Sequence, residues 1–155
     1  MNESSKLYVT QAEEIRDLVF RNRKFISPNA FDISPPFAWL PLIQEIFDFC
    51  EYNSYNIKVM QIKEKFGTLR FYYDVPMNKY RESLDQEIQK MCARTSDICQ
   101  ICGDSPAFEK SDGWISYRCE KHMDYKREPL NWDEVSEAYT RIHNEMMTGV
   151  KIAIL

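Results

Sequence analysis

The chain has 155 residues, 44% of them apolar, enough for one domain to enclose a core without help from disulfides. A formal net charge of −4 argues against wrapping nucleic acid in an overall positive field, although a local basic patch stays open. No run approaches the roughly 20 apolar residues that span a bilayer, and the opening "MNESSKLYVTQAEE" lacks the basic start and apolar centre of a signal peptide, so a cytoplasmic protein without membrane partners is expected. Five cysteines in a chain with no export signal fit reduced thiols or a metal better than a disulfide framework.

"TQAEEIRDLVFRNRKF" predicts a first helix with Thr10 as its cap, Glu13 completing a capping box, and Ile15, Leu18 and Val19 on one face. The proline-broken "ISPNAFDISPP" reads as a loop. In "FAWLPLIQEIFDFCEYN" almost every side is apolar, with Pro41 tolerated in the first turn, which predicts a central buried helix.

"KVMQIKEKFGTLRFYYDV" predicts a β-hairpin turning at Gly67-Thr68, with Phe66 opposite Leu69. One face then carries Met60, Ile62, Phe66, Leu69, Phe71, Tyr73 and Val75, interrupted by Glu64; the other carries Lys63, Lys65, Arg70 and Tyr72. Glu64 needs a partner, a proton or a place at the sheet margin, or else has a binding or catalytic role. The basic face is either a solvated outer surface or a surface that contacts phosphates and stacks a base on Tyr72.

"MNKYRESLDQEIQKMCARTS" places Tyr80, Leu84, Ile88 and Met91 at helical spacing. "NWDEVSEAYTRIHNEM" predicts a last helix with Asn131 as cap, Glu134 three residues on, and Trp132, Val135, Tyr139 and Ile142 inward. The closing "VKIAIL" is β-prone and is expected as a buried edge strand, or as a strand added to a partner.

Between the last two helices lies "CQICGDSPAFEKSDGWISYRCEKH". Cys99-x2-Cys102 and Cys119-x2-His122 supply four ligands in two pairs, the pattern that closes a tetrahedron around one zinc ion. Gly103 suits the turn after the second cysteine, and "AFEKSDGWISYRC" reads as a hairpin turning at Asp112-Gly113, so knuckle, hairpin and second ligand pair come in treble-clef order. A Cys3His set fills the coordination sphere, so the zinc is expected to be structural. Cys50 and Cys92 are expected in the core, and Trp114 and Tyr117 to pack the knuckle on the rest of the fold, or, if exposed, to anchor a partner.

The combination "QIKEKFGTLRFYY", "CQICG", the tryptophan of "GWISYRC" and "CEKH" resembles a family of small proteins of bacteria and their phages, over about Trp39 to His122. That resemblance implies a zinc-knuckle fold and association with mobile elements. The ligand arrangement is also similar to phage-type HNH endonucleases, whose catalytic histidines lie between or beside the ligand pairs. Here residues 103 to 118 hold no histidine, and the other histidine, His143, falls late in the last helix, which argues against a nuclease. No phosphate-binding glycine loop and no H-E-x-x-H is present either.

The expected fold is therefore α+β: residues 1–97 an α+β core, 98–125 a zinc knuckle, and 126–155 a helix and tail packed on the core. The expected function is a non-enzymatic, zinc-stabilised module that binds a protein partner, as a phage or mobile-element inhibitor or adaptor of a host system would. Its contact candidates are Lys63, Lys65, Arg70, Tyr72 and Trp114. The alternative is a nucleic-acid-binding protein using the basic hairpin face and the knuckle.

Overall fold

A computed structural model describes residues 1–75 and 80–152. The fold is α+β. Helix α1 spans Glu3–Arg21, α2 Leu40–Tyr52, α3 Arg81–Ala93 and α4 Trp132–Ile152. Strands β1 (Asp32–Ile33), β2 (Lys58–Lys65) and β3 (Thr68–Asp74) form one sheet in that order, and β4 (Phe108–Ser111) pairs with β5 (Ile115–Arg118) in a separate hairpin. Among the described residues no helix is long and apolar enough to cross a membrane.

Helix α1 begins a full two turns before Thr10. Its cap is Asn2, whose side chain accepts the Ser5 N–H at 2.7 Å, while the Thr10 hydroxyl donates to the Lys6 carbonyl inside the helix. The Thr-x-x-Glu pattern is thus a helix-interior coincidence, since an asparagine further upstream satisfies the free N–H groups. The proline-rich segment is not wholly loop: β1 runs parallel to β2, with Asp32 opposite Gln61 and Ile33 opposite Ile62.

Helix α2 fills the centre as predicted. Leu42, Ile43, Ile46, Phe47 and Cys50 are buried, and Phe47 sits between the rings of Phe25 and Phe71 at 5.8 and 5.7 Å. Burying so many branched and aromatic side chains from one helix supplies most of the apolar driving force on this side of the sheet.

The β2–β3 turn lies one residue earlier than predicted, at Phe66-Gly67, where both residues have positive φ (54° and 81°). This is the backbone of a type I′ turn, whose twist matches the strands it joins. Lys65 then faces Thr68 and Glu64 faces Leu69, a displacement of two residues from the predicted register. Because side chains alternate with period two, the displacement keeps the other residues on their predicted faces, but Phe66, expected on the apolar face, falls in the turn and is exposed. Glu64 is accounted for here: its carboxylate accepts the Gly67 N–H at 2.8 Å, closing the turn. A bulge between Val59 and Gln61 puts Val59 in the core in place of Met60.

Helices α1 and α4 run parallel, since contacts at Asn2–Glu134, Arg16–Glu145 and Phe20–Gly149 advance together along both. Val135, Ile142, Met146 and Val150 of α4 face inward, but Trp132 and Tyr139 do not. They form an exposed aromatic group with Tyr8. Asn131 caps α4 by accepting the Asp133 N–H at 3.1 Å, while Glu134 reaches to α1 and accepts the Asn2 N–H instead of returning to its own cap. The expected edge strand at the C-terminus is replaced by helix through Ile152; Ala153–Leu155 lie outside the described residues.

Candidate metal centre

The ligand region contains almost no core of its own. Between residues 98 and 125 only Cys99 and Cys119 are buried. A segment with so little apolar burial needs another source of cohesion, and two of its own metal-type ligands occupy the interior.

The first ligand pair sits on a tight knuckle. The Gly103 N–H donates to the Cys99 carbonyl at 2.8 Å, the Cys99 N–H donates to the Asp104 carbonyl at 2.9 Å, and Gly103 takes φ +83°, a conformation glycine adopts without penalty. The β4–β5 hairpin follows, closing over Asp112–Trp114 because Ser111 pairs with Ile115. The second pair lies just after it, with Cys119 leading into a single 3-10 turn over Glu120–His122. Knuckle, hairpin and helical turn therefore appear in the predicted order.

These elements bring all four predicted ligands together: the donor atoms of Cys99, Cys102, Cys119 and His122 all lie within 4.8 Å of one another. Cys99 Sγ is 3.7 Å from His122 Nδ1, Cys119 Sγ is 3.3 Å from the same nitrogen, and Cys102 Sγ is 3.7 Å from Cys119 Sγ. Bonds of roughly 2.0 to 2.3 Å to a tetrahedral ion require donor atoms about 3.3 to 3.8 Å apart, a range these three distances match, so the cluster could hold a metal ion. The imidazole presents Nδ1, and the neighbouring Tyr125 ring stands edge-on to it at 5.5 Å.

The electrostatics point the same way. Burial alone would raise the Cys99 thiol, but N–H groups of Cys119, Cys102 and Ile101 outweigh it and bring the thiol down to about 6. The Asp104 N–H favours the Cys102 thiolate, yet desolvation and the Cys119 and Cys99 sulfurs push that thiol up to about 11. Three sulfurs at this spacing do not all ionise unless a cation neutralises them. Cys50 and Cys92 stand outside the cluster, both pushed up to about 12, mainly by burial.

The metal segment docks onto the tip of the β2–β3 hairpin. The Gln100 side-chain amide donates to the Gly67 carbonyl at 3.4 Å, and the space where a Gly67 Cβ would stand is 2.9 Å from the Tyr117 ring and 3.1 Å from the Ile115 carbonyl oxygen. Tyr117 thus packs as expected. Trp114 does not: it is 81% exposed at the turn of the β4–β5 hairpin. Just before the metal segment, Thr95, fully buried, ties α3 to β3 by donating to the Cys92 carbonyl and accepting the Leu69 N–H.

Of the basic hairpin residues, Lys63 and Arg70 face each other directly across β2 and β3, with Lys65 and Tyr72 exposed on the same face. Arg70 is more enclosed than a purely solvated face would have it. It lines a groove between β3 and α3 with Gln89 and Cys92, and its Nε is buried without a partner among the described residues. His143 does not join the metal cluster; its ring stacks on Tyr139 at 6.0 Å on α4.

Comparison with protein-family models, with curated proteins and with solved structures returned no match.

Proposed function

We propose that this chain is a non-enzymatic, zinc-stabilised module that binds a protein partner, with Phe66 and Trp114 as its anchors. The observation that carries the reading is their placement. Gly67 meets Ile115 where the two hairpins dock, and each anchor immediately precedes one of those contact residues; Phe66 is 64% and Trp114 81% exposed. Two large aromatic side chains held in solvent by docked turns have the composition and rigidity of interface hot spots. The ion is zinc on the strength of its three thiolates and one imidazole. Four protein donors leave no position for substrate or water, so the zinc holds the chain together and does no chemistry.

The test uses wild-type protein and a Phe66→Ser/Trp114→Ser variant as baits in extracts of the native cell, after nuclease digestion. The reading expects one stoichiometric protein that the wild type retains and the variant loses, with both baits melting at the same temperature. Retention of the same protein by the variant would move the interface elsewhere and sink the proposal. An inhibitor or adaptor role would then be assayed on the captured protein's own activity.

A second reading has one observation in its favour: like charges directly opposed at Lys63 and Arg70 are unfavourable in a sheet unless an anion lies against them. It supports nucleic-acid binding along this face, which would weaken steeply with salt and fail in a Lys63→Glu/Lys65→Glu/Arg70→Glu variant.

A further inference from the structure

A cavity of about 440 Å³ lies where α1 and α4 meet the Pro35–Phe37 turn and the metal knuckle. Its apolar wall includes Ile15, Ile33, Ile142 and Met146, and Gln100 and Ile101, the two residues between the first pair of metal ligands, close one side. The metal therefore holds part of this wall in place.

The charge around the cavity runs against that of the whole chain. The protein carries 24 acidic residues against 20 basic ones, yet no aspartate or glutamate lines the cavity, while Arg118, Arg127 and His143 do. Arg118 is anchored by donating to the Tyr125 carbonyl at 2.7 Å, and Arg127 makes no ion pair or hydrogen bond among the described residues. The hydroxyls of Tyr8 and Tyr139 have no protein acceptor among the described residues either. Apart from Arg118, these donors have no protein acceptor among the described residues.

We infer that this cavity binds a small organic carboxylate with an apolar body. A guanidinium and two phenols on the lining suit a carboxylate head, and the branched aliphatic wall suits a hydrocarbon body. At roughly 30 Å³ for each water-sized unit, the space takes an acid of about ten heavy atoms with water remaining. This site uses neither Phe66 nor Trp114, so it stands whether or not the partner-binding reading holds.

The experiment titrates the full-length, zinc-loaded protein with octanoate, 1-octanol and acetate, followed by calorimetry and by amide chemical shifts. Octanoate should bind saturably, one per chain, with shifts at Ile101 and Ile142; 1-octanol and acetate, each lacking half of the recognised chemistry, should bind at least about tenfold more weakly. Arg127→Gln, at an exposed residue with no protein partner, should weaken octanoate by about tenfold while leaving the melting temperature unchanged. Ala12→Phe, which fills the cavity, should abolish binding. No saturable octanoate binding, equal affinity for 1-octanol, or full affinity in Arg127→Gln would each overturn the inference.

Discussion

Replacing Gly67 by alanine should separate the docking of the metal segment from ordinary backbone strain. At φ +81° an alanine carries a left-handed penalty of about 1–2 kcal/mol, and its Cβ would stand 2.9 Å from the Tyr117 ring and 3.1 Å from the Ile115 carbonyl oxygen. The ring could swing aside, but the backbone oxygen is fixed by the β4–β5 ladder, so a further cost of about 1–3 kcal/mol is expected, as for overpacked sites. Gly113→Ala supplies the control: φ there is +97°, and nothing lies within 4 Å of the added carbon. Both changes reduce unfolded-chain entropy alike, and that term cancels in the comparison. Urea denaturation should therefore show Gly67→Ala losing about 2–5 kcal/mol and Gly113→Ala about 1–2 kcal/mol, with m unchanged. In a chain of this size the first loss lowers the melting temperature by about 4–20 °C. After zinc removal the excess for Gly67→Ala should disappear, because Tyr117 and Ile115 lose their fixed positions. Equal losses for the two variants in the zinc-loaded protein would refute the docking argument.

Zinc analysis of protein purified without added metal should give one ion per chain, and a chelator or Cys102→Ser should cost several kcal/mol of folding stability, because the metal stands in for the missing core of residues 98–125. An unchanged melting temperature after complete zinc removal would contradict it. At acid pH a smaller effect is expected at the α1–α4 contact. The Arg141 guanidinium, and then that of Arg16, hold the Glu145 carboxyl below its ordinary value of 4.5. This contribution is fully present above that value and is lost as pH falls through the lowered one. The melting temperature of Glu145→Gln should accordingly match wild type at low pH and fall slightly below it near neutrality, a difference that shrinks in high salt.

What was legible in the sequence is what is decided locally. The four metal ligands come in pairs three residues apart, so each pair is assembled by its own turn, and identity plus spacing was enough to find them. Helix α2 and the inward stripe of α3 were equally readable, since period and apolarity agree there. The misreadings share a different origin. Thr10 and Glu13 carry a capping pattern, but which residue caps α1 depends on how far upstream the helix finds packing on α4, and Asn2 is held by Glu134, 132 positions away. The hairpin turn moved by one residue because Phe66 accepts positive φ when Glu64 closes the turn from below, a side-chain contribution that turn preferences alone do not include. Trp132 and Tyr139 have the spacing of core residues, yet a parallel α1 brings Tyr8 beside them, and the three rings pack on one another outside the core.

The exposure of Trp114 follows from the same division of labour. A hairpin four residues to a strand cannot order itself in water, and one lacking a core would normally spend its aromatic residue in making one. Here the metal ligands take the interior, Tyr117 and Ile115 meet the Gly67 turn, and the tryptophan is released from packing. On the proposed reading, an ion that fixes the hairpin before a partner arrives would leave little further ordering at the tip, and more of the tryptophan's buried area would convert to affinity. Zinc removal should therefore weaken partner capture even at temperatures where the core stays folded, and the deficit should equal that of Trp114→Ser in zinc-loaded protein if this residue's ordering is the cause.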